Sequence, residues 1–292
     1  MGITEISSFY DKKGRESGVL VHLTYIRYMK SMKDRCILCE GNVNNFVILC
    51  YIRVMNKFSE RIYYMMHDDA NDEPYLFYIK GDRFSIQIDA GNSPASFKKF
   101  EEIQRQENLE KPSLLVLTHW HWDHTFGLTS AKCPVLATKK TQRYLKEVKE
   151  WKWTEEAMKE RIQKKKDIPF CYEKMHVEYP DISKIETRLA DVVIDSNVSI
   201  DLGGVSCELI PHDSPHTRDA LFIYIPSEKV LIGGDAEYED YYDNDSKYDL
   251  SRLRDFIAFI SSIDFEYYLH GHDNLYLTKE QLLEKMNSHL MF

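Results

Sequence analysis

Apolar and polar positions divide the chain into two contrasting stretches, with the change close to residue 55. From Glu60 onward, residues 61–65, 75–80 and 84–88 form short runs rich in Ile, Tyr and Phe. Asp68-Asp69-Ala70-Asn71-Asp72 and Gly81-Asp82 separate them. Short apolar and aromatic runs bounded by turn residues predict strands of one sheet. Residues 114–118 predict a buried strand. Over 139–166, Lys, Glu, Gln and Arg dominate, and Tyr144, Leu145, Val148 and Trp151 recur at helical spacing. Residues 168–181 hold two prolines and several aromatics and predict a loop lying over something. Residues 192–200, 206–210, 221–225 and 230–232 predict further strands. Residues 249–260 predict a helix capped by Asp249, 265–269 a last strand, and 278–288 a last helix capped by Thr278. Two strand-rich halves, each closed by a helix, imply sheets in the middle and helices outside.

Residues 1–54 follow no clean period. Cys36-Ile-Leu-Cys39 is a lone pair with no second pair to complete a zinc ribbon, and it reads as two ordinary thiols. Composition narrows the function classes. The 38 Lys and Arg against 47 Asp and Glu leave a net charge of −9, which argues against a binder of nucleic-acid phosphates. Lys164-Lys165-Lys166 reads as a solvated helix end. No apolar run nears the roughly 20 residues that span a bilayer, and the first 15 residues carry no signal-peptide pattern. Six scattered cysteines in a chain able to build its own core predict reduced thiols, hence a cytoplasmic protein.

The densest chemistry is Thr118-His119-Trp120-His121-Trp122-Asp123-His124, directly after the buried strand. His119 and His121, two apart in an extended segment, face one way and can reach one ion. Asp123 and His124, in the next turn, can reach a second. Imidazole with carboxylate favours Zn, Fe or Mn over Ca.

This segment resembles the HxHxDH signature of the metallo-β-lactamase superfamily. Other motifs of that family follow in order. Phe84-Ser-Ile-Gln-Ile-Asp89-Ala-Gly91 resembles the strand before the signature, and Pro215-His216-Thr217-Arg218-Asp219-Ala220 the segment with the third histidine. Val230-Leu-Ile-Gly-Gly-Asp235 resembles the strand ending in the metal-bridging aspartate, and Tyr268-Leu-His-Gly-His272-Asp273 the last core strand. The resemblance covers about residues 58–292. It implies a four-layer αββα sandwich of two mixed sheets, with the metal site at one edge. The domain would run over 55–292, with a helical cap inserted at about 139–181 and residues 1–54 as an extension. A chain starting at Met55 is then expected to fold and bind metal by itself.

Carried over, the resemblance assigns one ion to His119, His121 and His216 and a second to Asp123, His124 and His272, bridged by Asp235. The cofactor implied is two divalent transition-metal ions, zinc before iron or manganese. Aspartate at 235, where the true lactamases have cysteine, points to the thioesterase, lactonase and phosphodiesterase branches. Two such ions, roughly 3.5–4 Å apart, acidify a bridging water toward neutrality. The expected function is hydrolysis of a small ester, thioester, lactone or phosphodiester, with Asp123 aligning the attacking hydroxide. Tyr238, three residues past Asp235, resembles a lactonase tyrosine that assists the carbonyl oxygen. Asp89 is expected to fix the histidine loop rather than touch metal, and Trp120 and Trp122 either line the entrance or pack. His212 and His270 compete with His216 and His272 for ligand places, and the family pattern favours the latter pair. His22, His67, His176 and His289 read as structural. The partner expected is a small-molecule substrate, with no nucleic acid and no membrane. A mononuclear iron dioxygenase or a nuclease of the same fold stays open as an alternative.

Overall fold

The computed structural model describes residues 3–10, 16–23, 55–242 and 246–290, so Cys36 and Cys39 lie outside the described residues. The chain divides into two compact units, Met1–Val54 and Met55–Phe292. In the first, β1 (Ile3–Tyr10) pairs antiparallel with β2 (Glu16–Leu23).

The second unit contains two sheets. The first takes β3 (Asn56–Lys57), β4 (Ile62–Met65), β5 (Leu76–Lys80), β6 (Ser85–Ile88), β7 (Leu114–Val116), β8 (Val135–Thr138) and β9 (Val192–Ile194), in that order. It is antiparallel as far as β6 and parallel from there to β9. The second takes β10 (Val198–Asp201), β11 (Ser206–Pro211), β12 (Leu221–Ile225), β13 (Val230–Gly234), β14 (Tyr267–His270) and β15 (Tyr276–Thr278). Only β13 and β14 run parallel there. The helices are α1 (Pro94–Gln106), α2 (Trp122–Thr125), α3 (Lys139–Lys149), α4 (Glu155–Gln163), α5 (Pro169–Glu178), α6 (Leu250–Ser262) and α7 (Lys279–Ser288).

Side-chain alternation explains the layers. On β12, Leu221, Ile223 and Ile225 join Phe77, Ile79, Ile86 and Ile88 of the facing sheet in one core. Phe222, one residue out of phase, packs instead with Leu253, Phe256 and Leu282 of α6 and α7. On β5, Phe77 and Ile79 face the other sheet while Leu76 and Tyr78 face Phe100 and Ile103 of α1. Period-two side chains with both faces apolar require cover on both sides. The result is the αββα sandwich expected from the sequence.

Three expectations are corrected. The helix expected over 139–166 is two helices, because the chain leaves α3 at Glu150 and Thr154 caps α4. The loop expected over 168–181 contains α5, with Pro169 in the first turn, where a missing N–H costs nothing. The strand expected over 192–200 is β9 and β10 in different sheets, since the chain crosses between layers at 195–197.

Candidate metal centre

The parallel strand β7 delivers the histidines. Beyond its end, Leu117 N donates to Leu136 O at 3.0 Å, and Leu221 N to Thr118 O at 2.7 Å, so the segment is tied to both sheets before it turns. Thr125 Oγ1 donates to His121 O at 2.9 Å and closes the single turn of α2. Asp89, at the end of β6 with φ +61°, anchors the group from behind. Its Oδ1 accepts from Thr118 N at 2.7 Å, and its Oδ2 from Thr118 Oγ1 at 2.7 Å and from His124 Nδ1 at 2.8 Å. Thr118 Oγ1 in turn lies 3.0 Å from His119 Nδ1. One buried carboxylate thus orients two imidazoles, the outer-shell arrangement that fixes which ring nitrogen faces a metal. His216 is oriented likewise, donating from Nδ1 to Glu239 O at 2.8 Å.

The ligand-type side chains converge as two sets. His119 Nε2 and His216 Nε2 lie 3.0 and 2.9 Å from His121 Nδ1. In the second set, His124 Nε2 is 3.0 Å from Asp123 Oδ2 and 3.3 Å from Asp235 Oδ2, and His272 Nε2 is 3.2 and 3.6 Å from the same two oxygens. Ligands at about 2.0–2.2 Å from a tetrahedral ion lie roughly 3.3–3.6 Å apart, a spacing the second set brackets at 3.0–3.6 Å and the first, at 2.9–3.0 Å, meets with an outward shift of a few tenths of an ångström. Asp235 Oδ2 is also 3.9 Å from His216 Nε2, placing it between the sets. Asp235 Oδ1 is buried without a hydrogen-bond partner. Gly271 permits this approach, because a Cβ there would lie 2.1 Å from Asp235 Oδ1. Gly234, at φ +57°, backs against Thr118 Oγ1, which a Cβ would meet at 2.6 Å.

Electrostatics separate the sets. Burial, reinforced by neighbouring imidazoles, holds His119 and His121 well below the usual histidine range, so both are neutral and offer lone pairs. Burial pulls His124 and His272 the same way, but the carboxylates beside them outweigh it. His124 is raised well above the ordinary value, and His272 is pushed up to about 9 by Asp235 and Asp123. Burial alone would lift the Asp123 and Asp235 carboxyls; the adjacent imidazoles hold both well below the carboxylate range.

Other residues named from the sequence fall around this centre. The Tyr238 ring is 6.2 Å from that of His216, and its hydroxyl donates to Asp273 Oδ2 at 2.8 Å. His212 stands apart, stacked on Phe259 at 4.0 Å. His270 belongs to another network: its Nδ1 meets Glu237 Oε1 at 2.7 Å, and Tyr268 OH donates to Glu237 Oε2 at 2.9 Å. Trp120 and Trp122 pack in a buried cluster with Met158, Cys171 and Met175 of the cap helices. Trp120 stacks on Tyr144 at 5.1 Å.

Sequence reasoning missed three neighbours. Asp72 sits in the turn between β4 and β5, at φ +58°. Burial, with Asp123 and Asp235 nearby, pushes its carboxyl up to about 7 against the pull of His272 and His124. His67, read as structural, forms a group with Asp69 and His272. Tyr242 lies over His121 at 4.9 Å, its hydroxyl 3.3 Å from Cys171 Sγ. The only sequence signal for the first two was the run of Asp and Asn that makes the turn, and it does not say which side chain turns inward.

Two face-to-face sheets with helices outside, and imidazoles and carboxylates gathered beyond the strand ends, define a metal-binding αββα protein. The family model of the metallo-beta-lactamase superfamily matches residues 74–277, well over half of the chain, and the chain belongs to that superfamily, a family of metal-dependent hydrolases. Among solved structures it is similar to a metallo-beta-lactamase from Pontibacter korlensis, with 14% identity, TM-score 0.57, and coverage of 82% of this chain and 99% of that one. It is similar to DIM-1 metallo-beta-lactamase at 15% identity, TM-score 0.56, covering 81% and 96%. A double mutant of the sec-alkyl sulfatase PisA1 matches at 16% identity and TM-score 0.56, covering 81% of this chain and 41% of that one. These likenesses establish the fold. A search of curated proteins found no match.

Proposed function

We propose that the chain is a hydrolase using two divalent transition-metal ions, zinc foremost, to cleave a small ester, thioester, lactone or phosphodiester. The observation carrying this reading is Asp235 Oδ2, 3.9 Å from His216 Nε2 and 3.3 Å from His124 Nε2. A carboxylate oxygen so placed can serve two cations together. His119, His121 and His216 would hold one ion, and Asp123, His124 and His272 the other. Ions bound there supply an electrophile for the substrate's oxygen and a water acidified toward neutrality.

The remaining chemistry belongs to the chain. Asp123, kept ionised by His124 and His272, accepts a hydrogen bond from the attacking water and aligns it. Tyr238 keeps its phenolic proton, because burial raises its pKa far above neutrality. It can therefore donate to a substrate oxygen in place of Asp273. The cap helices pack on Trp120 and Trp122, beside the histidines, which supports a small-molecule substrate. Among the described residues Cys133, Cys171 and Cys207 are free thiols, which supports a reducing, cytoplasmic setting. No helix among the described residues is long and apolar enough to cross a membrane.

The test is metal analysis of protein purified without chelator, then a panel of the four substrate classes with that metal loaded. Hydrolysis of one class by protein holding two ions supports the reading. A stable single iron with no hydrolysis would replace it with the oxygenase alternative.

A further inference from the structure

A cleft of about 690 Å³ opens between the start of α3, the edge strand β9 and the loop that follows β11. Lys139, Lys140, Arg143, Lys146 and Arg218 line it, against Asp195, Asp213 and Asp219. Five cations facing three carboxylates stand out in a chain of net charge −9. Lys140 pairs with Asp213, and Lys139 lies 4.0 Å from Asp195. Among the described residues Arg143 has no carboxylate partner and lies 5.3 Å from the Tyr144 ring, and Lys146 has no carboxylate within ion-pair distance. The first N–H groups of α3 add a partial positive charge at the same place.

The rest of the lining is apolar: Val193, Ile194, Pro211 and Ala220. Val193 is 44% exposed and so offers an aliphatic surface to whatever enters the cleft. The volume falls within the roughly 300–1,000 Å³ of small-molecule sites and far exceeds one phosphate. Arginine suits phosphate through paired N–H donors, and lysine through a point charge.

We propose that this cleft binds a phosphorylated small molecule of nucleotide size. Its phosphates lie against Arg143, Lys146 and the start of α3, and its organic part against Val193, Ile194 and Pro211. The site is separate from the metal centre yet shares a loop with it. Asp213, Arg218 and Asp219 face the cleft, and His216 between them reaches His121 on the other side. Thr138 and Thr141 hydroxyls, at the start of α3, donate to Asp219 O at 3.3 Å and tie the loop to the helix.

The experiment is calorimetric titration of ADP and of pyrophosphate into metal-loaded wild-type protein, the Arg143→Glu/Lys146→Glu double variant and the His119→Ala variant. Because phosphates also coordinate metals, the double variant, which leaves both ligand sets intact, separates the cleft from the metal centre, and the comparison is independent of whether the protein hydrolyses anything. Expected is one-to-one binding to wild type and to His119→Ala, weakened at least about tenfold in the double variant, a loss of about 1.4 kcal/mol. Metal content and melting temperature of the double variant should match wild type; if charge reversal disturbs the fold, Arg143→Gln/Lys146→Gln takes its place. Binding unchanged in the double variant, or lost in His119→Ala alone, would overturn the proposal. So would the absence of ADP and pyrophosphate binding, including the case where only a single-stranded oligonucleotide binds.

Discussion

Asp235 carries the greatest consequence per atom. Replacing one carboxylate oxygen with an amide keeps the volume and removes a full charge from between the two ligand sets. At short range that charge is worth several kcal/mol, roughly 4 at an effective dielectric of 20. Asp235→Asn should therefore lose or weaken the second ion and lower hydrolysis by on the order of a hundredfold. Folding should survive, because Asp235 lies outside the apolar cores. Parallel metal analysis and circular dichroism check both halves. His212→Ala is the contrasting case. His212 stacks on Phe259 and reaches neither set, so metal content should not change.

Protonation adds a second residue-scale expectation. A ligand histidine must be neutral to bind metal. His119 and His121 already are, so neither has to lose a proton for the first ion to bind. His272, at about 9, is protonated at neutral pH and must release that proton. His124, held well above the ordinary value, must release one too, so second-site affinity should rise by more than tenfold per pH unit below about pH 9. Competition titrations with a chromophoric chelator measure the slope; equal slopes at both sites would contradict it. At this scale the sequence spoke through rarity. Three histidines and an aspartate in six residues stand out among 11 histidines in the whole chain. Asp72 did not stand out, because an aspartate in a turn is ordinary and its inward direction arises only when β4 and β5 pair.

At the scale of elements, strands were easier to read than helices. The facing β-layers need apolar residues on both sides, so β5, β12 and β13 appear as short apolar runs. Where length or direction changed, the sequence misled. Pro169 looks like a breaker but starts α5, and the apolar run after Val192 hides a crossing between sheets. The cap shows why Trp151 reads as helical yet lies beyond α3. Arg161 packs against the Trp151 and Trp153 rings at 4.5 and 4.8 Å, with its Nε 3.7 Å from Asp167 Oδ2. Arg161→Ala should strand Asp167, a buried carboxylate that burial already pushes up to about 6. The expected loss is on the order of 3 kcal/mol, confined to the cap. Hydrogen exchange should show α4 and α5 opening while the two sheets stay protected and the metal stays bound.

For the molecule as a whole, all seven ligand-type residues and, among the described residues, every helix belong to the Met55–Phe292 unit. A protein beginning at Met55 should therefore melt within a few degrees of the full chain and hold the same metal. Insolubility of that shorter chain would mean that residues 1–54 complete its core. The order of motifs made this unit legible from the sequence, because the ligands lie just beyond strand ends that recur along the chain. The substrate was not legible, since the cleft walls come from the cap and from loops whose positions follow from packing rather than from pattern. The central claim is that two metal sites share Asp235. Inductively coupled plasma mass spectrometry on chelator-free protein, after reconstitution with zinc and removal of unbound metal, tests it most directly. Close to two ions per chain, falling toward one in Asp235→Asn, is the predicted result; a ratio near zero, or one unchanged by that substitution, would contradict it.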